Sequence, residues 1–184
     1  MTAPDSVAGD ERLRLFLALR LPEQVLDAVE AWQAQLSGAI RVVPRDHLHI
    51  TLAFLGSRPA GELDAIVGAL RAAAAAASAD LPLAASRYRE TRSVAMLVLD
   101  DPSGRVTALA EDVQARLEAL GVYRREGRRW LPHLTVARFR ECPRLRLDAP
   151  AMRTFVPSDA AAYLSRLHPG GAQYAVLESV GLGG

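Results

Sequence analysis

One short pattern occurs twice in this chain of 184 residues, and it constrains the fold more than any other feature. The stretch HITLA at residues 49–53 recurs as HLTVA at residues 133–137, 84 residues later. Each copy alternates polar and apolar side chains, as a half-buried β-strand does, and each follows a predicted helix. The repeat therefore predicts two related half-domains that face each other.

Alternation divides the first copy between the two faces of its strand. His49, Thr51 and Ala53 share one face, and Ile50, Leu52 and Phe54 share the other. The apolar face is predicted to be core. A single histidine on the opposite face would usually be structural, but both histidine and threonine recur in a chain that has only four histidines. The recurrence favours a shared functional site.

The composition is that of one globular domain. Half of the residues are apolar and the formal net charge is only +1, which suits a chain with one substantial core. We expect a disordered tail over residues 1–11 and a single domain over residues 12–184. No stretch approaches the roughly 18 apolar residues of a membrane span, and the N-terminal residues are polar and acidic. We therefore expect a cytoplasmic monomer with no membrane partner.

The basic residues exclude several mechanisms. All 22 of them are arginine, and the chain contains no lysine. A phosphate-binding loop that ends in Lys-Ser/Thr, a lysine Schiff base and a lysyl-nucleotide intermediate are therefore excluded. Cys142 is the only cysteine, which rules out an internal disulfide and a thiolate metal cluster. We interpret Cys142, beside Pro143, as an incidental surface residue.

The arginines are concentrated in one segment. Residues 121–147 hold eight arginines and two glutamates, a charge of +6. Such a local positive field suits an anionic partner, because the planar guanidinium binds phosphate through two hydrogen bonds. A solvated surface with ordinary strand-edge charge is the alternative.

The predicted elements follow the order β-α-β-α-β-β-α-β-β-β. Pro22 opens the first helix and Gly121 ends the third. Because helices do not alternate regularly with strands in the second half, the pattern favours an α+β fold with antiparallel sheets over a doubly wound parallel sheet. The predicted strands are residues 12–21, 47–56, two within 81–100, 133–139, 161–167 and 174–180, and the predicted helices begin near residues 22, 59 and 103.

The remaining histidines allow one alternative site. His47 and His49 share a strand face and, with His133 and the carboxylate of Asp46, could begin a metal site. Threonine rather than a carboxylate recurs beside each repeated histidine, so we expect no metal. His47 has no counterpart in the second copy and is interpreted as a structural or rim residue. His168 is interpreted as a turn residue.

The paired motifs resemble the signature of the two-histidine phosphoesterases, a pair of H-x-[T/S]-x strands, and in particular the RNA 2′,3′-cyclic phosphodiesterases, also called 2′-5′ RNA ligases. The resemblance extends from RLFLAL near residue 14 through HITLAFLG and PHLTVAR to SRLHPGGAQY near the end. It implies a bilobal α+β domain with pseudo-twofold halves. Two antiparallel sheets would form a central cleft, with helices packed outside and one motif from each half.

The residues themselves suit the hydrolysis of a cyclic phosphodiester. One group must take a proton from the attacking water, and another must protonate the departing ribose oxygen. Two imidazoles with an ordinary pKa of about 6.5 can do both without a metal or cofactor. The hydroxyls of Thr51 and Thr135 can donate hydrogen bonds to the non-bridging phosphate oxygens. His49 and His133 are therefore the candidate catalytic residues.

The resemblance implies further assignments. It implies His49 as proton donor and His133 as proton acceptor in opening the ring to a 2′-phosphomonoester, although the local sequence does not distinguish these roles. It implies RNA or a nucleotide with a 2′,3′-cyclic phosphate as substrate, with ligation as the reverse reaction. Arg138 matches the arginine that ends the second motif and is expected to contact phosphate. Strict alternation from His133 directs Arg138 to the opposite face, so this role requires a bulge, a twist or a long reach.

Two other functions stay open on the sequence. The chain could act on another small cyclic phosphate or a 2′-5′ oligonucleotide, or it could be a non-catalytic RNA- or nucleotide-binding module. Intact histidine and threonine in both copies argue against the module, because binding alone needs no proton transfer. Trp130 and Tyr123 are candidates for stacking on bases, with core packing the default for Trp130.

Overall fold

The structure is a computed structural model that describes residues 11–36, 40–169 and 171–183. Apart from exposed Glu11, the predicted disordered tail lies outside the described residues. The described residues form three α-helices and eight β-strands, which confirms the predicted α+β class and adds one two-residue strand to the predicted order. The strands are β1 (Arg12–Leu19), β2 (Arg41–Val42), β3 (Ile50–Pro59), β4 (Ala84–Glu90), β5 (Val94–Asp100), β6 (His133–Arg138), β7 (Ala160–His168) and β8 (Gly171–Val180), and the helices are α1 (Glu23–Gln33), α2 (Leu63–Ala76) and α3 (Arg105–Ala119).

The two expected sheets are two halves of one antiparallel sheet. Its order is β4-β5-β6-β3-β1-β7-β8, and β2 pairs with β6. The halves meet between β3 and β6, where the register holds one pair, Ile50 with Leu134. Beyond this pair β6 is joined by β2, with Arg41 opposite Arg138. The two motif strands therefore touch where each begins and then separate.

The helices pack against one face of the sheet and form the main core with it. β1 lies between β3 and β7, and from Leu15 to Leu19 it is buried on both faces, although its alternation of leucine with arginine favours a half-buried strand. Leu15, Leu17 and Leu19 belong to the main core. Phe16 instead packs with Tyr163 in a small second cluster on the opposite, helix-free face. We call this opposite face the open face.

Each motif strand has a β-bulge one residue after its threonine. In the first, Thr51 and Ala53 pair with neighbouring residues of β1, which leaves Leu52 as the extra residue. In the second, Val136 is the extra residue opposite β5 in the same way. The two bulges occupy equivalent positions of the repeat. A bulge reverses the alternation of the side chains that follow it.

Phe54 corrects one prediction. Alternation assigns it to the core, but its side chain is 48 % exposed. The bulge at Leu52 turns Ala53 into the core and Phe54 out of it. The guanidinium of Arg14 lies 4.7 Å from the centre of the Phe54 ring. Period-two reasoning fails here because the strand is irregular.

β3 is also longer than predicted. The sequence places its end at Gly56, but the strand continues to Pro59 and pairs with the start of β1. Gly56 has a φ of 68°, a left-handed conformation that costs a glycine little. The glycine therefore bends the strand without ending it.

α1 and α3 each reach across to the other half of the repeat. Gln33 of α1 donates a hydrogen bond to a carbonyl of β6, and Gln114 of α3 donates one to a carbonyl of β3. The two halves are therefore interlocked. No helix in the described part of the chain is long and apolar enough to span a membrane.

Candidate active site

The two motif histidines are held in the same way. The His49 Nδ1 lies 2.8 Å from the carbonyl oxygen of His47, and the His133 Nδ1 lies 2.8 Å from that of Leu131. A carbonyl only accepts, so Nδ1 carries the proton in both rings. Each Nε2 is then the nitrogen left to accept or donate a proton. The two motifs share the backbone carbonyl two residues before the histidine, although the side chains at that position, His47 and Leu131, differ.

The β3–β6 junction brings the two motifs together. Continuing the antiparallel register by one residue from Ile50–Leu134 sets His49 opposite Thr135 and Thr51 opposite His133. Both side chains of the junction pair are fully buried, so the four motif side chains lie on the open face. The two histidines are diagonal neighbours, which in a regular sheet are roughly 7–8 Å apart.

A small cavity lies on one side of the junction. It has a volume of about 100 Å³ and is lined by His47, His49, Thr135, Arg138 and Tyr174, together with the β2 residues and Pro44. No carboxylate lines it among the described residues. Its charged and polar groups suit an anion the size of a phosphate.

A larger groove lies on the other side of the junction. Its volume is about 640 Å³, and His133, Thr51, Phe54, Trp130 and Leu131 are among its lining residues. The indole Nε1 of Trp130 donates a hydrogen bond of 3.0 Å to the carbonyl of Thr51 and so links the two halves. Trp130 both packs on the core and lines the groove. The predicted core packing of Trp130 is therefore correct, but it describes only part of its contacts.

The repeat relates the cavity to the groove. His49 and Thr135 on one side correspond to His133 and Thr51 on the other. The two sides differ at several pairs of equivalent positions, two of which flank the motif residues. His47 and Arg138 line the cavity where Leu131 and Phe54 line the groove. At these two positions the cavity has cationic or polar side chains and the groove has apolar or aromatic ones, although Arg89, Arg128 and Arg129 also line the groove.

His49 has a strongly perturbed environment. Its ring centroid lies 4.8 Å from that of Phe16 and 5.6 Å from that of Tyr174. Burial lowers the pKa of His49 to about 4, although the hydrogen bond to the His47 carbonyl opposes this shift. Electrostatic repulsion by His47, His133 and Arg138 lowers the pKa further.

Arg138 reaches the cavity because of the bulge that its role requires. Val136 and Ala137 are both fully buried, and the alternation is reversed between them. Arg138 then lies on the same face as Thr135 and lines the cavity with it. Strict alternation does not predict this bulge, because the sequence HLTVAR contains no residue that indicates one.

The other candidate residues are placed as follows. His47 lines the cavity, with its ring centroid 4.5 Å from that of Tyr174. His168 is the last residue of β7 and pairs with Gly171, so it lies beside the β7–β8 turn rather than in it. Among the described residues, no group of three histidine, cysteine or acidic side chains is arranged to hold a metal ion. Tyr123 packs against the core.

The arginine-rich segment divides between the site and the surface. Arg128 and Arg129 line the groove, and Arg138 lines the cavity. Arg125 and Arg128 are paired with glutamates at the surface. The segment therefore supplies arginines to the cavity and the groove as well as to surface ion pairs, and Arg128 belongs to both groups.

Sequence reasoning missed several residues of the site. Arg41 of β2 lines the cavity, and a Cβ on Gly171 would overlap its guanidinium. Phe16, Tyr163 and Tyr174 form the aromatic surroundings of His49. β2 has too few residues to produce a strand pattern, and the aromatics read as ordinary strand residues.

Comparison with known proteins gives a consistent result. The family model of the 2′-5′ RNA ligase superfamily matches residues 21–168. No curated protein sequence matches this chain significantly. Among solved structures, E. coli LigT complexed with 3′-AMP superimposes with a TM-score of 0.79 at 23% identity, covering 95% of this chain and 100% of LigT.

Two further structures have the same fold. TT0787 of Thermus thermophilus has a TM-score of 0.75 at 28% identity, covering 92% of this chain and 98% of its own. The PDE domain of MHV ns2 has a TM-score of 0.59 at 16% identity, covering 91% of this chain and 100% of its own. With the family model spanning most of the chain, the protein belongs to the 2′-5′ RNA ligase superfamily, whose members include phosphoesterases.

Proposed function

We propose that this protein hydrolyses 2′,3′-cyclic phosphate ends of RNA or nucleotides to 2′-phosphomonoesters with a two-histidine acid/base pair and without a metal ion. The observation that carries the proposal is the β3–β6 junction. It brings His49 and His133 to one face as diagonal neighbours, each with Nδ1 bonded to a carbonyl. A phosphorus above the junction would have one imidazole on each side, as in-line displacement requires.

The proposed chemistry balances with two imidazoles. The neutral ring takes a proton from water as its oxygen forms a bond to phosphorus, and the protonated ring gives a proton to the departing ribose oxygen. The carbonyl bonded to each Nδ1–H stabilises the imidazolium, so either ring can hold the extra proton. Thr51 and Thr135 donate to the non-bridging oxygens, and Arg138 offsets their charge.

The roles of the two rings follow the resemblance, with His49 as donor. In the free protein burial lowers the pKa of His49 to about 4, so this ring is neutral at pH 7. An anionic phosphate in the cavity favours the imidazolium. A donor role therefore requires that His49 gains its proton when the substrate binds.

The contrast between cavity and groove supports a nucleotide over a bare cyclic phosphate. We propose that the cavity holds the phosphate and that the aromatic groove beside His133 holds the nucleoside. Aromatic rings stack on every base, typically contributing about 1–3 kcal/mol per base. The E. coli LigT structures with 3′-AMP, ATP and NADP+ add support from the fold family.

A turnover assay tests the proposal. Purified protein in EDTA should convert 2′,3′-cyclic AMP to 2′-AMP, with the 2′ and 3′ products separated by chromatography. Comparison of kcat/KM with RNA ending in a cyclic phosphate and with ADP-ribose cyclic phosphate identifies the preferred substrate. Binding of the cyclic nucleotide without turnover would leave only the binding-module alternative.

A variant and its matched control test the role of the groove. Phe54→Ala should raise KM for cyclic nucleotides and leave kcat nearly unchanged, because it removes a stacking surface and no reacting group. Leu120→Ala, at an apolar residue of similar exposure outside the cavity and the groove, is the matched control. Equal KM for both variants would remove the groove from the proposal.

We further propose a cytoplasmic monomer.

A further inference from the structure

Two buried glutamines hold the backbone of the motif strands. Gln33 and Gln114 are only 4 % and 7 % exposed. Gln114 Nε2 donates a hydrogen bond of 2.9 Å to the carbonyl of Leu52. Gln33 Nε2 donates one of 2.8 Å to the carbonyl of Val136 and also bonds the carbonyl of Val43. Burying a polar side chain is favourable only when such partners are present.

Both acceptors are the bulged residues. Leu52 and Val136 are the extra residues of the two bulges and occupy equivalent positions of the repeat. A bulge interrupts the ladder of hydrogen bonds, so its carbonyl needs a partner from elsewhere. In each motif strand a glutamine from a helix donates to this carbonyl, and the Val136 carbonyl also accepts a hydrogen bond of 2.9 Å from the backbone N–H of Val43. Two equivalent bulges served by two glutamines indicate a built feature.

The glutamines act across the halves. Gln33 lies on α1, the helix that precedes the His49 strand in the chain, but it bonds the strand of His133. Gln114 lies on α3, the helix that precedes the His133 strand in the chain, but it bonds the strand of His49. Each helix therefore holds the motif of the opposite half.

The bulges aim the side chains of the site. The bulge at Val136 brings Arg138 onto the open face, and the bulge at Leu52 does the same for Phe54. The motif threonine directly precedes each bulge, and the histidine lies two residues earlier. A change in bulge geometry would therefore alter the position of every side chain of its motif.

We propose that Gln33 and Gln114 are positioning residues of the active site, each fixing the bulge, and thereby the motif geometry, of the opposite half. This proposal rests on the proposed function only for its catalytic consequence. Neither glutamine needs to touch the substrate. An apolar side chain of similar volume would satisfy packing alone, but it would leave both bulge carbonyls without this donor.

The test uses Gln33→Met and Gln114→Met, because methionine has a similar volume and cannot donate to a carbonyl. Gln24→Met, at an exposed glutamine of α1, is the matched control. The readout is the ring nitrogen and proton chemical shifts of His49 and His133 in protein labelled with ¹⁵N-histidine. We expect Gln114→Met to shift the signals of His49 more than those of His133, and Gln33→Met to do the reverse.

The kinetic readout separates positioning from stability. Misplaced catalytic groups should lower kcat by roughly 10- to 100-fold with a smaller change in KM. Gln114→Glu keeps the shape, and its protonated buried carboxyl can donate to the same carbonyl. It should therefore retain more activity than Gln114→Met, and it replaces that variant if methionine prevents folding.

Two results would overturn the proposal. One is a folded variant whose lower melting temperature is accompanied by unchanged histidine shifts and unchanged kcat, which assigns the glutamines to stability alone. The other is a chemical-shift change confined to His133 in Gln114→Met or to His49 in Gln33→Met. Because the chemical shifts do not depend on turnover, the crossed pattern is tested even if the wild-type protein proves inactive on cyclic phosphates.

Discussion

At the scale of single residues, His49 and His133 each bond a backbone carbonyl through Nδ1, which leaves Nε2 as the nitrogen for the proposed proton transfer. The carbonyl bonded to each Nδ1 fixes both the tautomer and the orientation of the ring. Their pairing could be predicted from the sequence because two histidine–threonine strands at half-chain spacing have few structural explanations. Their carbonyl partners could not, because every residue has a carbonyl.

Removal of either motif histidine should abolish most of the proposed turnover. His49→Ala and His133→Ala should each lower kcat by about 10²–10⁴-fold, the usual contribution of a general acid or base. His168→Ala, in the β7–β8 hairpin, is the matched control and should be nearly neutral. Circular dichroism verifies that each variant is folded. Full activity of a folded His49→Ala variant would refute its catalytic role.

The titration of His49 gives a prediction that needs no substrate. Because burial lowers its pKa to about 4, its NMR signals should titrate near that pH in the free protein. Bound 2′-AMP should raise the midpoint, since negative charge stabilises the imidazolium. The lowered pKa also makes the fold less stable as pH falls from about 6.5 towards 4, because only the unfolded chain is protonated there. A midpoint near 6.5 in the free protein would contradict the proposed environment.

At the scale of elements, regular alternation predicted the strands well and their irregularities poorly. It identified the strand that holds each motif and the core face of Ile50. It assigned Phe54 to the core, and it left Arg138 on the wrong face unless a bulge intervened. Both errors arise because each bulge comes one residue after its threonine. A bulge is stabilised by distant partners such as Gln33 and Gln114, which a local pattern does not contain.

The bulge in β6 gives Arg138 a testable role. Arg138→Gln should weaken the binding of inorganic phosphate and of 2′-AMP by roughly tenfold or more, as expected when a hydrogen bond to a charged group is lost. Arg140→Gln removes a nearby exposed arginine outside the cavity and the groove and is the matched control. Isothermal titration measures both affinities. Equal affinities in the two variants would place Arg138 outside the site.

At the scale of the whole molecule, the site exists only where the two halves meet. The sheet is continuous across one residue pair, and α1 and α3 each bond the other half's motif strand. The resemblance implied pseudo-twofold halves, and the chain order showed an α+β fold. The crossing of the helices could not be predicted, because local patterns do not say which strand a helix packs against.

The interlocking predicts that residues 12–184 unfold as one unit. Trp32 packs near Tyr88 in the β4–β6 half, and Trp130 bonds to Thr51 of the other half. Unfolding in urea should therefore show one transition, with the same midpoint by tryptophan fluorescence and by circular dichroism. Two separated transitions would mean that the halves are independent domains.

The central claim is that two histidines from equivalent strands act on one phosphorus atom. A crystal structure with bound 2′-AMP tests it most directly. We predict that the phosphate lies above the Ile50–Leu134 pair, with oxygens within about 3 Å of the Nε2 atoms of both His49 and His133. A phosphate that contacts one ring alone, or that binds away from the junction, would contradict the account.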